Sequence, residues 1–402
     1  MRKRNFVIGL FLCPLIFLSC EQPSKPEDID YEKIEKIKSV LQKDLIILDN
    51  EFIPGQIIDS LVSFKAIILG EFHTVKEERE LVGHLAAGLS RNGQKTEICA
   101  ECPDAYSWIY EAVSSGEINA LPSWAEYTKM LPILDSSITY LQPDNVPITI
   151  HCIDANMQPQ FFSNSINGYS DLHPDNTNLS NYLQNHFQSL STGYEDSLNN
   201  FYNLLVNSPE TLGFQNDKND LKITLRMTRN EITSYEIRQN WEKDYSNSFN
   251  NRETLIKTNA DYYLSKSEGT IVFYFGLNHV QKHPFLGSQI EWLGNYLHYS
   301  SPYSRNNTIS IVGVPLKGVI MNTSNNKLFN FNLVTDSRPD DIFRIIGEMD
   351  NNDYSWLSLT DSIFINTNIY AKYIYDNYEV YIPLKEQYDA YLIIPQATYA
   401  GN

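Results

Sequence analysis

Apolar residues in this chain follow two alternating patterns. Four short segments are apolar almost throughout: Ala66 to Leu69, Glu97 to Ala100, Val146 to Ile153 and Thr270 to Phe275. A fifth run spans Thr308 to Val314. Runs of this length, bounded by polar residues and glycine, predict buried strands. Between the first two, Leu81, Val82, Leu85, Ala86 and Leu89 recur at helical spacing, and after the fourth so do Ile290, Leu293 and Leu297. A further helix over Tyr31 to about Lys43, with Ile34, Ile37 and Leu41 on one stripe, opens the fold. The alternation predicts an α/β fold with a mainly parallel open sheet flanked by helices.

Two stretches break that rhythm. Residues 157–264 are rich in Asn, Ser, Tyr and charge, with helical periodicity near 179–206 and 219–264, and read as a helical insertion. The last 80 residues or so carry the strand-like runs Tyr378 to Pro383 and Ala390 to Pro395, which predict a small β-rich C-terminal extension. The α/β domain is therefore expected over 31–320, with the insertion at about 157–264 and the extension over 321–402.

The N-terminus reads differently. Arg2-Lys3-Arg4 precedes an apolar run from Phe6 to Leu18, a basic region and hydrophobic region too short to span a bilayer. The run ends in Phe17-Leu18-Ser19-Cys20, which resembles the lipobox of bacterial lipoproteins. The expectation is a signal peptide over 1–19, lipidation of Cys20 and a polar, proline-containing tether over 20–30. That places the mature protein outside the cytoplasm, lipid-anchored to a bacterial membrane surface. Glu21, in place of the Asp that retains some lipoproteins at the inner membrane, points to the outer membrane.

Composition narrows the partners. Loss of residues 1–19 removes three positive charges and takes the formal charge from −18 to −21. So acidic a surface disfavours nucleic acid. Past Cys20 the cysteines are Cys99, Cys102 and Cys152, too few for a disulfide scaffold, although Cys102 and Cys152 could pair across strands. Cys99-Ala100-Glu101-Cys102 has Cys-x-x-Cys spacing, but it sits across the end of a buried strand and reads as small core residues.

Ionisable residues collect where the apolar runs stop. The first strand breaks into Gly70-Glu71-Phe72-His73, the second ends at Glu101 and the third at Asp154. The fourth runs into Gly276-Leu277-Asn278-His279. In an open parallel sheet, ligands bind beyond the carboxyl ends of the strands. Glu71, His73, Glu101, Asp154 and His279 are thus candidate site residues, with His283, four residues past His279, as a supporting one.

These segments, together with Leu286-Gly287 and the helical Arg252-Glu253…Ile256…Asn259, resemble the erythromycin-esterase/ChaN-like superfamily, related to the TraB/TIKI proteins, over roughly residues 60–300. The resemblance places Glu71 and His73 on the family's first Glu/His motif, Glu101 on its second-strand acid and His279 on its late histidine. Asn278 and Arg252 fall on further motif positions. The Glu-to-His spacing is one residue tighter than usual, and Gly276 stands where a second late histidine often occurs. Both departures argue against macrolides as the substrate.

The resemblance implies an extracytoplasmic hydrolase of ester or amide bonds acting on a small molecule or peptide. Two mechanisms fit. His73 is a general base oriented by Glu71 or Glu101, with His279 and Asn278 steadying the oxyanion. Alternatively His73, His279, Glu71 and Glu101 hold a divalent metal, Zn or Mn, that acidifies water. The rival reading is a lipid-anchored haem- or ligand-binding protein of the ChaN-like type, for which the 26 tyrosines offer axial ligands. An inactive relative is the third.

Overall fold

The structure is a computed structural model. It describes residues 29–48, 53–72, 75–91, 95–125, 148–187, 193–214, 218–282, 290–322, 327–349, 353–360, 364, 370–375 and 378–399. Cys20, the signal peptide and nearly all of the tether lie outside the described residues, as do His73, His283 and Leu286-Gly287. The fold is α/β, with eight strands in its principal sheet among the described residues. The chain divides into two compact units, one of residues 1–88, 275–300 and 305–402, the other of 89–274 and 301–304.

The first unit opens with helix α1 (Tyr31–Asp44), where the Asp30 side chain caps the Lys33 N–H and Ile34, Ile37 and Leu41 are buried. Strand β1 (Leu45–Leu48) follows directly, then α2 (Gly55–Leu61) and β2 (Ala66–Glu71). Every residue of β2 is buried, as suits a strand covered on both faces. Helix α3 (Lys76–Arg91) begins in this unit and buries Leu81, Val82, Leu85, Ala86 and Leu89. Its later strands include β6 (Thr308–Pro315), which pairs parallel with β2, Ala66 lying opposite Thr308.

In the second unit, β3 (Thr96–Pro103) lies parallel to both β4 (Thr149–Asp154) and β5 (Thr270–Gly276). Helix α4 (Ser107–Ser114) follows β3. The expected helical insertion is present as α5 (Pro159–Leu172), α6 (Thr177–His186), α7 (Tyr194–Asn207), α8 (Lys218–Asn240) and α9 (Tyr245–Leu264). Helix α5, begun by Pro159 at its first turn, lacks a clear periodic signature because five Ser and Asn residues dilute its apolar face.

Strands β7 (Lys317–Asn322) and β8 (Lys327–Asn332) pair antiparallel with each other, and the chain beyond them goes to two places. Strands β10 (Tyr370–Tyr375) and β11 (Tyr378–Pro383) form the small antiparallel extension expected there. Strand β9 (Tyr354–Ser358) pairs antiparallel with β1, and β12 (Ala390–Ile394) lies between β9 and β6, parallel to β6. The run at 390–394 is thus a fully buried strand of the principal sheet. Strand β1 was not expected, because four apolar residues directly after a helix carry no period of their own. Cys99, Cys102 and Cys152 are buried, no disulfide joins Cys102 to Cys152, and burial pushes the Cys99 and Cys152 thiols up.

Candidate functional site

Glu71 ends β2, buried, directly after Gly70. A Cβ on residue 70 would fall 2.4 Å from Cγ2 of Val280, so glycine lets the turn after β5 approach the strand end. Glu78, from α3, reaches back to this point and is 2% exposed. Its Oε2 accepts the Phe72 N–H at 2.5 Å, which fixes the backbone between Glu71 and His73. Its Oε1 rests against Gly313, where a Cβ would lie 2.6 Å away, and has no hydrogen-bond partner among the described residues. Burial, reinforced by the charge of Glu71, pushes the Glu78 carboxyl well above the carboxylate range. Burial and the neighbouring Glu71 charge thus both favour the neutral form of Glu78.

His279 sits in the single 3-10 turn Leu277–Val280 that follows β5, buried, in the same unit as Glu71. Its ring meets the Trp292 indole edge-on at 5.3 Å and 89°, and the Phe275 ring lies 5.6 Å away. Asn278 is half-buried, and its carbonyl accepts Nε2 of the fully buried Gln281 at 3.0 Å. The turn is therefore pinned both by its own backbone and by aromatic packing.

The second unit gathers three of the predicted residues. Arg252, on α9, donates Nε to Asp154 Oδ1 at 2.8 Å and Nη2 to Asp154 Oδ2 at 2.6 Å. The same Nη2 donates to Glu101 Oε1 at 2.8 Å. Asp154 is the last residue of β4, and Glu101 lies where the register of β3 shifts after Ala100. Burial opposes the guanidinium's charge, but Asp154 and then Glu101 outweigh it and hold its pKa well above the ordinary value. With Ala155 N–H also on Oδ1 at 2.6 Å, the Asp154 carboxylate is committed to structure. Asn259 completes the motif by donating to the Ile153 carbonyl at 3.1 Å.

A larger buried assembly in the same unit was missed from sequence. His151, inside β4, bonds Glu111 Oε1 through Nδ1 and Glu97 Oε2 through Nε2, each at 2.9 Å. Its ring stacks on Tyr263 at 3.9 Å. The Tyr263 hydroxyl donates to Glu111 at 2.9 Å and accepts from Arg226, which lies 3.8 Å from the fully buried Asp104. Burial alone would depress the imidazole, but the two glutamates outweigh it and raise His151. Burial likewise opposes Glu111, yet the His151 bond and charge take it down to about 2. An ionisable residue in mid-strand was the signal, since a buried charge requires partners.

Among the described residues, no group of three or more His, Cys, Asp or Glu side chains is disposed to hold a metal ion. Glu71 and His279 belong to the first unit and Glu101 to the second.

No family model matches the sequence, and no curated protein matches it significantly. Solved structures do. A Bacillus cereus protein aligns with a TM-score of 0.66 at 15% identity, over 91% of this chain and 98% of its own. A succinoglycan biosynthesis protein gives 0.68 at 13%, over 92% and 99%. An erythromycin esterase in its open conformation gives 0.61 at 15%, over 86% and 94%. The fold implied by the sequence motifs, that of the erythromycin esterases, is the fold this chain has.

Proposed function

We propose that this chain is a hydrolase of ester or amide bonds in which a carboxylate-oriented histidine activates water at the end of β2. The observation that carries the reading is the Glu71/Glu78 pair at that glycine-broken strand end. A buried carboxyl whose pKa is raised beside a second carboxyl is a recurrent basis of acid–base chemistry. Glu71 is the carboxylate that orients His73, taken from the sequence as the general base. Glu78 is a positioning residue: through the Phe72 N–H it sets the turn that leads into His73. Asn278 and His279, on the pinned turn after β5, are the donors for a developing oxyanion. Glu101 is an acid held in one orientation by Arg252. Anchorage through Cys20 would set this activity at a membrane surface, on a small molecule or peptide outside the cytoplasm. The fold shared with an erythromycin esterase supports the hydrolase class.

The test is turnover of p-nitrophenyl esters, peptides and a macrolide lactone by purified protein, before and after chelation. Glu71→Gln and His279→Asn should each lower turnover by about 10²–10⁴-fold with little change in melting temperature. Glu78→Gln keeps an acceptor for Phe72 and should shift the pH profile more than the maximal rate. Background rates on every substrate, or variants as active as the parent, would sink the proposal.

A further inference from the structure

Helices α7, α8 and α9 of the second unit line a half-open cleft of about 600 Å³, within the size range of small-ligand sites. Its walls come from residues 202–262, so it draws on none of the groups assigned to hydrolysis. The chain carries 49 acidic and 31 basic residues, yet the charged groups lining this cavity are Arg226, Arg229 and Glu236. On the wall itself cations outnumber acids two to one.

Arg226 is a prepared cation. Its guanidinium lies 5.3 Å from the Tyr262 and Tyr263 ring centroids, donates to the Tyr263 hydroxyl, and is backed by Asp104 at 3.8 Å and Glu111 at 3.9 Å. Arg229 follows three residues later on the same face of α8, exposed and able to close on a ligand. Thr233 and Glu236 continue that face, Glu236 about 10 Å from Arg229 along the axis. Across the cavity, Thr254 and Thr258 spend their hydroxyl protons on the carbonyls of Asn250 and Thr254, each at 2.8 Å. Their oxygens can therefore only accept. One end of the cavity donates to an anion; the rest of the wall accepts from hydroxyl groups. Tyr202 adds an aromatic surface.

The geometry points to a uronic acid sugar, free or at the end of a polymer. Its carboxylate would lie on Arg226 and Arg229, with its hydroxyls donated to Glu236, Thr254 and Thr258. The site stands independently of the hydrolase reading.

Calorimetric titration of the purified protein with glucuronate, glucose, inorganic phosphate and an oligogalacturonate tests it. Glucuronate should bind at least about tenfold more tightly than glucose or phosphate, and Arg229→Ala should cost about tenfold. Glu71→Gln should leave binding unchanged, which separates this site from the hydrolytic one. An oligogalacturonate that binds more tightly than the monomer would identify the source as a polymer; the reverse would identify the free sugar. Either preference supports the site. The inference is overturned if glucuronate gives no saturable heat to about 10 mM. Glucose or phosphate binding as tightly, or Arg229→Ala binding as the parent does, would also overturn it.

Discussion

Arg252→Met should destabilise the second unit by about 3–5 kcal/mol, the usual cost of breaking a buried ion pair from one side. The side chains of Arg252, Asp154 and Glu101 are 10%, 10% and 13% exposed, so solvent screens the cluster weakly. Three charge-assisted hydrogen bonds are lost, at 2.8, 2.6 and 2.8 Å. Methionine fills much of the volume but leaves Asp154 with the Ala155 N–H and a buried negative charge. Scanning calorimetry is the assay, and the loss corresponds to a drop of about 10 °C for a unit of this size. Asp154→Asn in the Arg252→Met background removes the uncompensated charge. The double variant should therefore recover at least about 2 kcal/mol relative to the sum of the singles. A shift below about 2 °C for Arg252→Met, or strict additivity, would refute the view that this cluster is a buried, mutually compensating unit.

His151 gives a pH signature. Its folded pKa is raised, so the stability it confers is present below the unfolded value of about 6.5 and is lost as pH rises through the raised folded value. The melting temperature should fall from neutral into alkaline pH, and His151→Gln should flatten that slope at a lower absolute stability. Glu111, held at about 2, has the opposite sign: its contribution is present above the unfolded value of about 4.5 and fades only as pH falls toward 2. Glu111→Gln should flatten the acid limb of the same melting curves. Gly70→Ala puts a methyl 2.4 Å from Val280 and should cost about 1–3 kcal/mol by denaturant midpoint. Val280→Ala in that background should restore part of it; failure to do so would point to backbone strain instead.

Much of the site was legible in the chain because the relevant signals are local. An apolar run that stops at an acid, as at Leu69-Gly70-Glu71 or Ile153-Asp154, records a strand leaving the core, and the structure ends β2 and β4 at Glu71 and Asp154. The stripes of α1 and α3 and the glycine before Glu71 are of the same kind. Burial periodicity and φ/ψ tolerance act over a few residues and leave their mark on neighbours.

Pairing leaves no such mark. Arg252 meets Asp154 across 98 positions, His151 is clamped between Glu97 and Glu111, and the Glu78 carboxyl is drawn back onto the Phe72 N–H. Nothing in the spacing of those residues announced the partnerships, nor that β12 would enter the principal sheet beside β6. Which charges can be buried depends on which opposite charges the completed fold brings within hydrogen-bond reach, since desolvation is tolerated only when paired. The periodic elements and the ends of β2 and β4 belong to the sequence; the partners, and with them the direction of each pKa shift, belong to the fold.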